Sequence, residues 1–193
     1  MQKTPIGRPR SERRHKAILQ AAMDLVVELG FRAVSVESLA AKTGVAKTTI
    51  YRRWPNKAAV VMDAFMDRLL RTQFPDTKKA TDSIRLQMRS MAKAFRTEDG
   101  AVLKALLAES QFDAELATAI RERWTLPRRK LALAVLQKAV SQGEVRANID
   151  LEATIDLLYA PMYYRLQRGT PALSEEYIDE IFNQVMKGLL RDK

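Results

Sequence analysis

The chain has 193 residues, 47% of them apolar and 29% charged, which fits one or two globular domains with a core large enough to need no covalent staples. It has no cysteine and a single histidine, His15, so disulfides, thiolate metal sites and cysteine nucleophiles are excluded and little metal chemistry remains. The net charge is +10 and unevenly placed: residues 1–60 carry 12 Lys/Arg against 4 Asp/Glu, and residues 61–193 carry 21 against 19, a bias that turns the N-terminal third toward a polyanion.

A solvated basic surface is the alternative reading of that charge. Nucleic acid ranks ahead of an anionic membrane because no basic amphipathic anchor rich in bulky apolar residues accompanies the cluster. The apolar stretches 58–66, 101–108 and 131–136 are far shorter than the ~18 residues of a membrane span. Met1 to Arg10 shows no secretory signal, so a soluble cytoplasmic protein with no membrane partner is expected.

The composition is rich in Ala and Leu with no sustained period-2 alternation, which predicts an all-α fold of about nine or ten helices punctuated by Gly and Pro. In the opening arm, Gly7-Arg8-Pro9-Arg10 resembles the core of an AT-hook, whose extended Arg-Pro-Arg lies in a narrow minor groove. Arg8 and Arg10 would be its contacts, and a basic tail adding only sequence-independent attraction is the alternative. A first helix is predicted over about 12–29, with Ser11 as N-cap, an apolar stripe of Ile18, Ala22, Leu25, Val26 and Leu29, and Gly30 just past its end. His15 on this basic helix reads as a solvated residue rather than a ligand.

Ser35 caps a short second helix that carries Leu39 and Ala40 inward and ends at Gly44. A third helix follows Val45, points Ile50 inward and closes at Arg53-Trp54-Pro55. Two short helices joined at a glycine within a basic third fit a helix-turn-helix: Ala40 allows close crossing, Gly44 supplies a left-handed turn, and Leu39, Val45 and Ile50 complete a shared core. With Ile50 inside, a helix of about 100° per residue turns Thr48 and Arg52 outward, flanked by Thr49 and Tyr51. Lys47, Thr48, Thr49, Tyr51 and Arg52 then form a donor face for base edges and phosphates, and no acidic residue lies between Glu37 and Asp63. A surface helix of an ordinary bundle is the bland alternative.

Asn56 caps a fourth helix running to about Gln73, with Val60, Ala64 or Phe65, and Leu69 inward. Beyond Pro75, Ile84, Met88, Met91 and Phe95 share a face of a helix that Gly100 is expected to end. Further helices are predicted at about 101–110, 113–125, 127–142, 151–168 and 174–191. The last two bear the stripes Ile155, Leu158, Tyr159, Met162, Leu166 and Ile178, Ile181, Phe182, Val185, Leu189, and Pro161 is expected to kink the first of them.

The segment Ser35 to Lys57, SVESLAAKTGVAKTTIYRRWPNK, resembles the N-terminal domain of TetR-family transcriptional regulators over about residues 11–60. The resemblance implies that Lys47 and Thr48 approach bases, that Tyr51 and Arg52 contact bases or phosphates, and that Ser35 and Lys57 grip phosphates at helix N-termini. Ala46 departs from the Ser or Thr usual there, and Trp54 replaces the more usual Phe and reads as core. The implied organisation is a basic arm (1–10), a helix-turn-helix domain (11–57) and a helical effector-binding and dimerisation domain (58–193).

In the family the last two helices pair with their twins, so Ile155, Leu158, Met162, Ile178, Ile181, Phe182, Val185 and Leu189 are expected at a homodimer interface, with intramolecular core as the alternative. Two-fold symmetry also suits a helix-turn-helix, because paired ones read half-sites about one turn apart. The family places an effector pocket among its middle helices, where this chain carries Met62, Phe65, Met66, Met88, Met91, Phe95, Leu103, Leu107 and Trp124. Each fills core as readily as it lines a cavity. A small apolar or aromatic effector suits that lining, and a charged one would need partners such as Glu109 or Arg89.

No cofactor, metal or catalytic site is read from the chain: it has no phosphate-binding glycine loop, no Gly-x-Ser-x-Gly and no Cys/His metal spacing. Glu175-Glu176 at a helix start suits the helix dipole without catalysis. The expected function is a ligand-responsive DNA-binding regulator, most often a repressor in this family, acting on double-stranded DNA. A non-specific architectural DNA binder is the alternative.

Overall fold

A computed structural model describes residues 8–69, 73–169 and 173–189, with the side chains of 8–11, 69 and 189 outside the described residues. The regular structure described is entirely helical: α1 (Arg8–Leu29), α2 (Val36–Thr43), α3 (Lys47–Tyr51), α4 (Lys57–Leu69), α5 (Ala80–Phe95), α6 (Glu98–Glu109), α7 (Ala114–Ile120), α8 (Leu126–Ser141), α9 (Leu151–Arg168) and α10 (Glu175–Leu189). A 3-10 turn spans Phe31–Ala33, and a wider π-type turn spans Arg121–Thr125. The all-α reading of the composition holds.

Three element ends differ from expectation for local reasons. Helix α1 begins at Arg8 rather than near residue 12, so Ser11 lies inside its first turn. Proline is tolerated there because the first amides of a helix have no intrahelical acceptor. Arg8 and Arg10 thus have helical backbone where an extended arm was expected, and their side chains lie outside the described residues. Gly100 does not end a helix: it sits in the first turn of α6, where an added Cβ would lie 2.0 Å from the Phe95 carbonyl oxygen, so glycine answers a close approach rather than a stop. The helices predicted at about 113–125 and 127–142 are not separated by a break, because the π-type turn passes directly into α8.

The chain forms two compact units, Met1–Arg68 with Ala105–Trp124 and Leu69–Lys104 with Thr125–Lys193. In this grouping α4 and residues 105–124 fall with the helix-turn-helix. In this first unit Ile18, Ala22, Leu25 and Val26 of α1 are buried as their spacing predicts, whereas Leu29 is 62% exposed. Helix α4 buries Val60, Ala64 and Phe65, and Leu69 closes it with a side chain outside the described residues. The Asn56 Oδ1 accepts the Ala59 N–H at 2.9 Å, which sets the start of α4.

In the second unit α5 packs on α8, α9 and α10, and α9 packs on α8 and α10. Ile84, Met88, Met91 and Phe95 of α5 are buried. The residue before α5, Lys79, provides no side-chain cap. Glu144 does so from a distant loop: its carboxylate accepts the Ala80 N–H at 3.0 Å, the Thr81 N–H at 2.9 Å and the Thr81 hydroxyl at 2.5 Å. Arg89 Nε donates to Asp179 at 2.9 Å and links α5 to α10. Helix α9 opens on Asp150, whose side chain accepts the Ala153 N–H at 3.0 Å, and continues through Pro161.

Candidate nucleic-acid interface

Local chemistry fixes the helix-turn-helix at both ends of α2. The Ser35 hydroxyl accepts the Ser38 N–H at 3.0 Å while the Ser38 hydroxyl accepts the Ser35 N–H at 2.9 Å, a reciprocal cap that sets the first turn. Gly44 then takes φ 67°, ψ 13°, and its N–H donates to the Ala40 carbonyl at 2.9 Å; a side chain there would be strained. Leu39 and Ile50 are fully buried, Val36 is buried beside them and Val45 is half-buried. Burying Ile50 turns the opposite side of α3 to solvent. Lys47, Thr48, Tyr51 and Arg52 are exposed and Thr49 is half-buried, so the donor face is presented as the spacing implies. Helix α3 starts at Ala46 without a side-chain cap.

Besides Ser35, the expected DNA contacts Lys47 and Lys57 already have protein partners. Lys47 Nζ lies 2.7 Å from Glu37 Oε1 across the α2–α3 surface. That hydrogen bond holds the Glu37 carboxyl below its usual range. Lys57 Nζ donates to the carbonyls of Phe31 and Arg32 at 3.3 and 3.2 Å and sits 4.5 Å over the Phe31 ring. It fastens the start of α4 to the 3-10 turn, and a phosphate would share it with those carbonyls.

The residues expected to line an effector pocket divide between the units. Met62, Phe65 and Trp124 are buried and Met66 and Leu107 half-buried in the first, where the rings of Phe65 and Trp124 stand 5.2 Å apart. Met88, Met91, Phe95 and Leu103 are buried in the second, where Phe95 meets Tyr163 edge-on at 5.4 Å. The second unit also buries a polar cluster that the sequence reading missed. The Tyr159 hydroxyl donates to Gln87 Oε1 at 2.7 Å, and Gln87 Nε2 lies 3.9 Å from Met91 Sδ. Arg128, at the start of α8, adjoins it: burial draws its pKa down against the opposing influence of Tyr163 and Tyr159. Burial in turn pushes the Tyr159 hydroxyl far above its usual range. Gln87 inside the apolar stripe of α5 was the available signal. The partners named for a charged ligand are engaged elsewhere, Glu109 with Arg32 at 2.7 Å and Arg89 with Asp179.

The stripes expected at a dimer interface require correction. Ile155, Leu158, Met162 and Ile178 are at most 3% exposed within the single chain, and Ile181 and Phe182 are also buried. Val185 is half-buried, and the Leu189 side chain lies outside the described residues. Ile155, Leu158, Met162, Ile178, Ile181 and Phe182 face inward because α9, α10 and α5 pack on one another. The opposite face of α9 is open: Ala153, Leu157, Ala160 and Tyr164 recur at i, i+4, i+7 and i+11, with Leu157 59% and Tyr164 60% exposed.

Among the described residues no group of three or more His, Asp or Glu is arranged to hold a metal, and no helix is long and apolar enough to cross a membrane.

Known proteins resemble the chain over nearly its whole length. Residues 18–64 match the family of bacterial regulatory proteins, tetR family, and residues 74–185 match the tetracyclin repressor-like C-terminal domain. The uncharacterized HTH-type transcriptional regulator YdeS of Bacillus subtilis is 40% identical over 95% of this chain and 93% of its own. A DNA-binding transcriptional repressor TetR of Mycobacteroides abscessus is 28% identical over 94% of this chain and 96% of its own. Among solved structures, the TetR family transcription regulator SCO0332 superposes with a TM-score of 0.77 at 29% identity, covering 92% of this chain and 99% of that one.

Proposed function

The chain belongs to the TetR family of bacterial regulatory proteins, and from that premise we propose that it is a cytoplasmic homodimeric repressor that reads a palindromic operator and is released by a small, largely apolar effector. The observation that carries the reading is the exposed donor face of α3, Lys47 to Arg52, turned outward by the burial of Ile50 behind a turn that Gly44 makes. Phosphate contacts from Lys57, Ser35 and, at the start of α1, Arg8 and Arg10 would set register, and the α3 side chains would read bases.

A second copy of the chain would dock on the open stripe of α9. The stripe is apolar, contains small residues that let helices approach, and is continuous over three turns. Release by an effector requires a ligand that prefers the conformation in which the paired recognition helices are wrongly spaced. The apolar side chains gathered in the second unit, Met88, Met91, Phe95 and Leu103, support an apolar or aromatic ligand body. The setting of Arg128 beside Tyr159 and Tyr163 supports an acidic group on it.

Selection from randomised duplex DNA tests the proposal. Enrichment of an inverted repeat, held ~10³-fold or more tightly than scrambled DNA, is expected. No enrichment, with affinity that collapses as salt rises, would instead leave a non-specific architectural binder.

A further inference from the structure

Trp54 closes the recognition helix. The amide N–H groups of Arg53 and Trp54 both donate to the Ile50 carbonyl at 3.0 Å, and the indole is 1% exposed. His15 of α1 lies flat on the indole, with ring centroids 5.2 Å apart and planes 7° from parallel. The indole Nε1 donates to Asp63 Oδ2 at 2.7 Å. The other oxygen of that carboxylate, Oδ1, accepts from Arg123 Nη1 at 2.5 Å. Asp63 belongs to α4, and Arg123 belongs to the π-type turn Arg121–Thr125. One residue past Arg123, at Trp124, the chain leaves the first unit. A single carboxylate thus joins the end of α3 to the exit of the DNA-binding unit.

We propose that Asp63 is a positioning residue for the recognition helix and that its hold on Trp54 depends on Arg123, so that a shift of the Arg121–Thr125 turn is felt at α3. Asp63 and Arg123 side chains are each about one-third exposed, 33% and 35%, so the pair is only partly screened by water. If Arg123 withdraws, the carboxylate loses its cation in a half-buried place and is better solvated by swinging outward. The indole N–H then stays buried without an acceptor, a state that proteins avoid by rearranging. Because the Trp54 amide caps α3 through Ile50, that rearrangement moves the last turn carrying Tyr51 and Arg52. The π-type turn suits a moving part, since an extra residue in a turn is a local register shift that can be relaxed.

The inference rests on the regulator reading, and its test separates the two. Arg123→Met, Arg123→Lys, Trp54→Phe and the double variant W54F/R123M are compared with wild type in three measurements. These are affinity for the selected operator, the ¹H–¹⁵N signal of the Trp54 indole (assigned by its loss in W54F), and amide exchange in α3. R123M is expected to move the indole signal, speed exchange across residues 47–54 and weaken operator binding about tenfold. R123K should restore most of each, and R123M should add little in the W54F background. An unmoved indole signal with unchanged α3 exchange, or R123M and W54F losses that multiply independently, would overturn the proposal. If R123M does not fold, Arg123→Gln carries the same comparison. If wild type selects no operator, the regulator reading fails while the indole and exchange measurements still decide the coupling.

Discussion

Removing Lys47 and Tyr51 from the recognition helix should abolish specific DNA binding and leave the fold intact. A side chain that makes a good base contact discriminates by about 1–3 kcal/mol, and a dimer presents each one twice, so one substitution weakens operator binding by ~2–6 kcal/mol, at least ~30-fold. The pair K47A/Y51A then loses ~10³-fold even at the lower end, which equals the smallest usual gap between specific and non-specific complexes. Stability should hardly change, because Lys47 is 52% exposed at its side chain and Tyr51 51% exposed overall, both outside the core. The assay is titration of the selected operator and of scrambled DNA at two salt concentrations, with a thermal melt beside it. Where Lys47 contacts phosphate, its loss would also reduce the magnitude of the slope of log affinity on log salt by about 1.8 per dimer. Wild-type operator affinity in the double variant would refute the assignment of α3 as the reading helix.

Glu144→Ala should destabilise the second unit by about 1 kcal/mol at pH 7, since the Thr81 N–H and hydroxyl lose their acceptor while Gln142 Oε1 keeps the Ala80 N–H at 3.2 Å. Burial raises the Glu144 pKa, but hydrogen bonds from the Thr81 side chain and the Thr81 and Ala80 amides outweigh it and hold the carboxyl below its usual value. That stabilisation is complete above the unfolded pKa of about 4.3 and disappears as pH falls through the lower folded value, so urea melts of variant and wild type should converge in acid. Leu157→Glu with Tyr164→Glu should yield a folded monomer by sedimentation and lose operator affinity, and a persisting dimer would exclude the open stripe of α9. Gly100→Ala forces a methyl group to 2.0 Å from the Phe95 carbonyl and should lower stability by about 1–3 kcal/mol in a chemical melt. Once an effector class is found by operator release, Arg128→Met should weaken acidic members selectively, and equal weakening of neutral analogues would assign Arg128 to structure alone.

The local devices of the DNA-binding unit were legible because each involves a few neighbouring residues with a narrow set of uses. Ser35 reads as a cap and Gly44 as a left-handed turn from sequence alone. Ile50 fixes which side of α3 is wet by helical geometry. What the sequence did not show depends on residues far apart in the chain. Glu144 caps a helix 64 residues away from it, and the pairing of Trp54 with Asp63 and Arg123 needs three separate segments to converge. Gly100 looked like a helix end because a glycine serves equally well as a stop and as a gap for a carbonyl, and only the path of Phe95 distinguishes the two.

The proposed interface on α9 is harder to read from sequence than the core. The helix carries two apolar stripes about half a turn apart: Ile155, Leu158 and Met162 on one side, and Ala153, Leu157, Ala160 and Tyr164 on the other. The stripe with the larger branched residues attracts the eye, and large apolar side chains are the ones a single chain must bury to fold at all. A surface that is covered only on association must stay tolerable in water beforehand, and the proposed one mixes alanine with a tyrosine that is 60% exposed. In a helix with two apolar faces, the richer one therefore belongs to the chain's own core, and the interface is to be sought on the plainer face opposite.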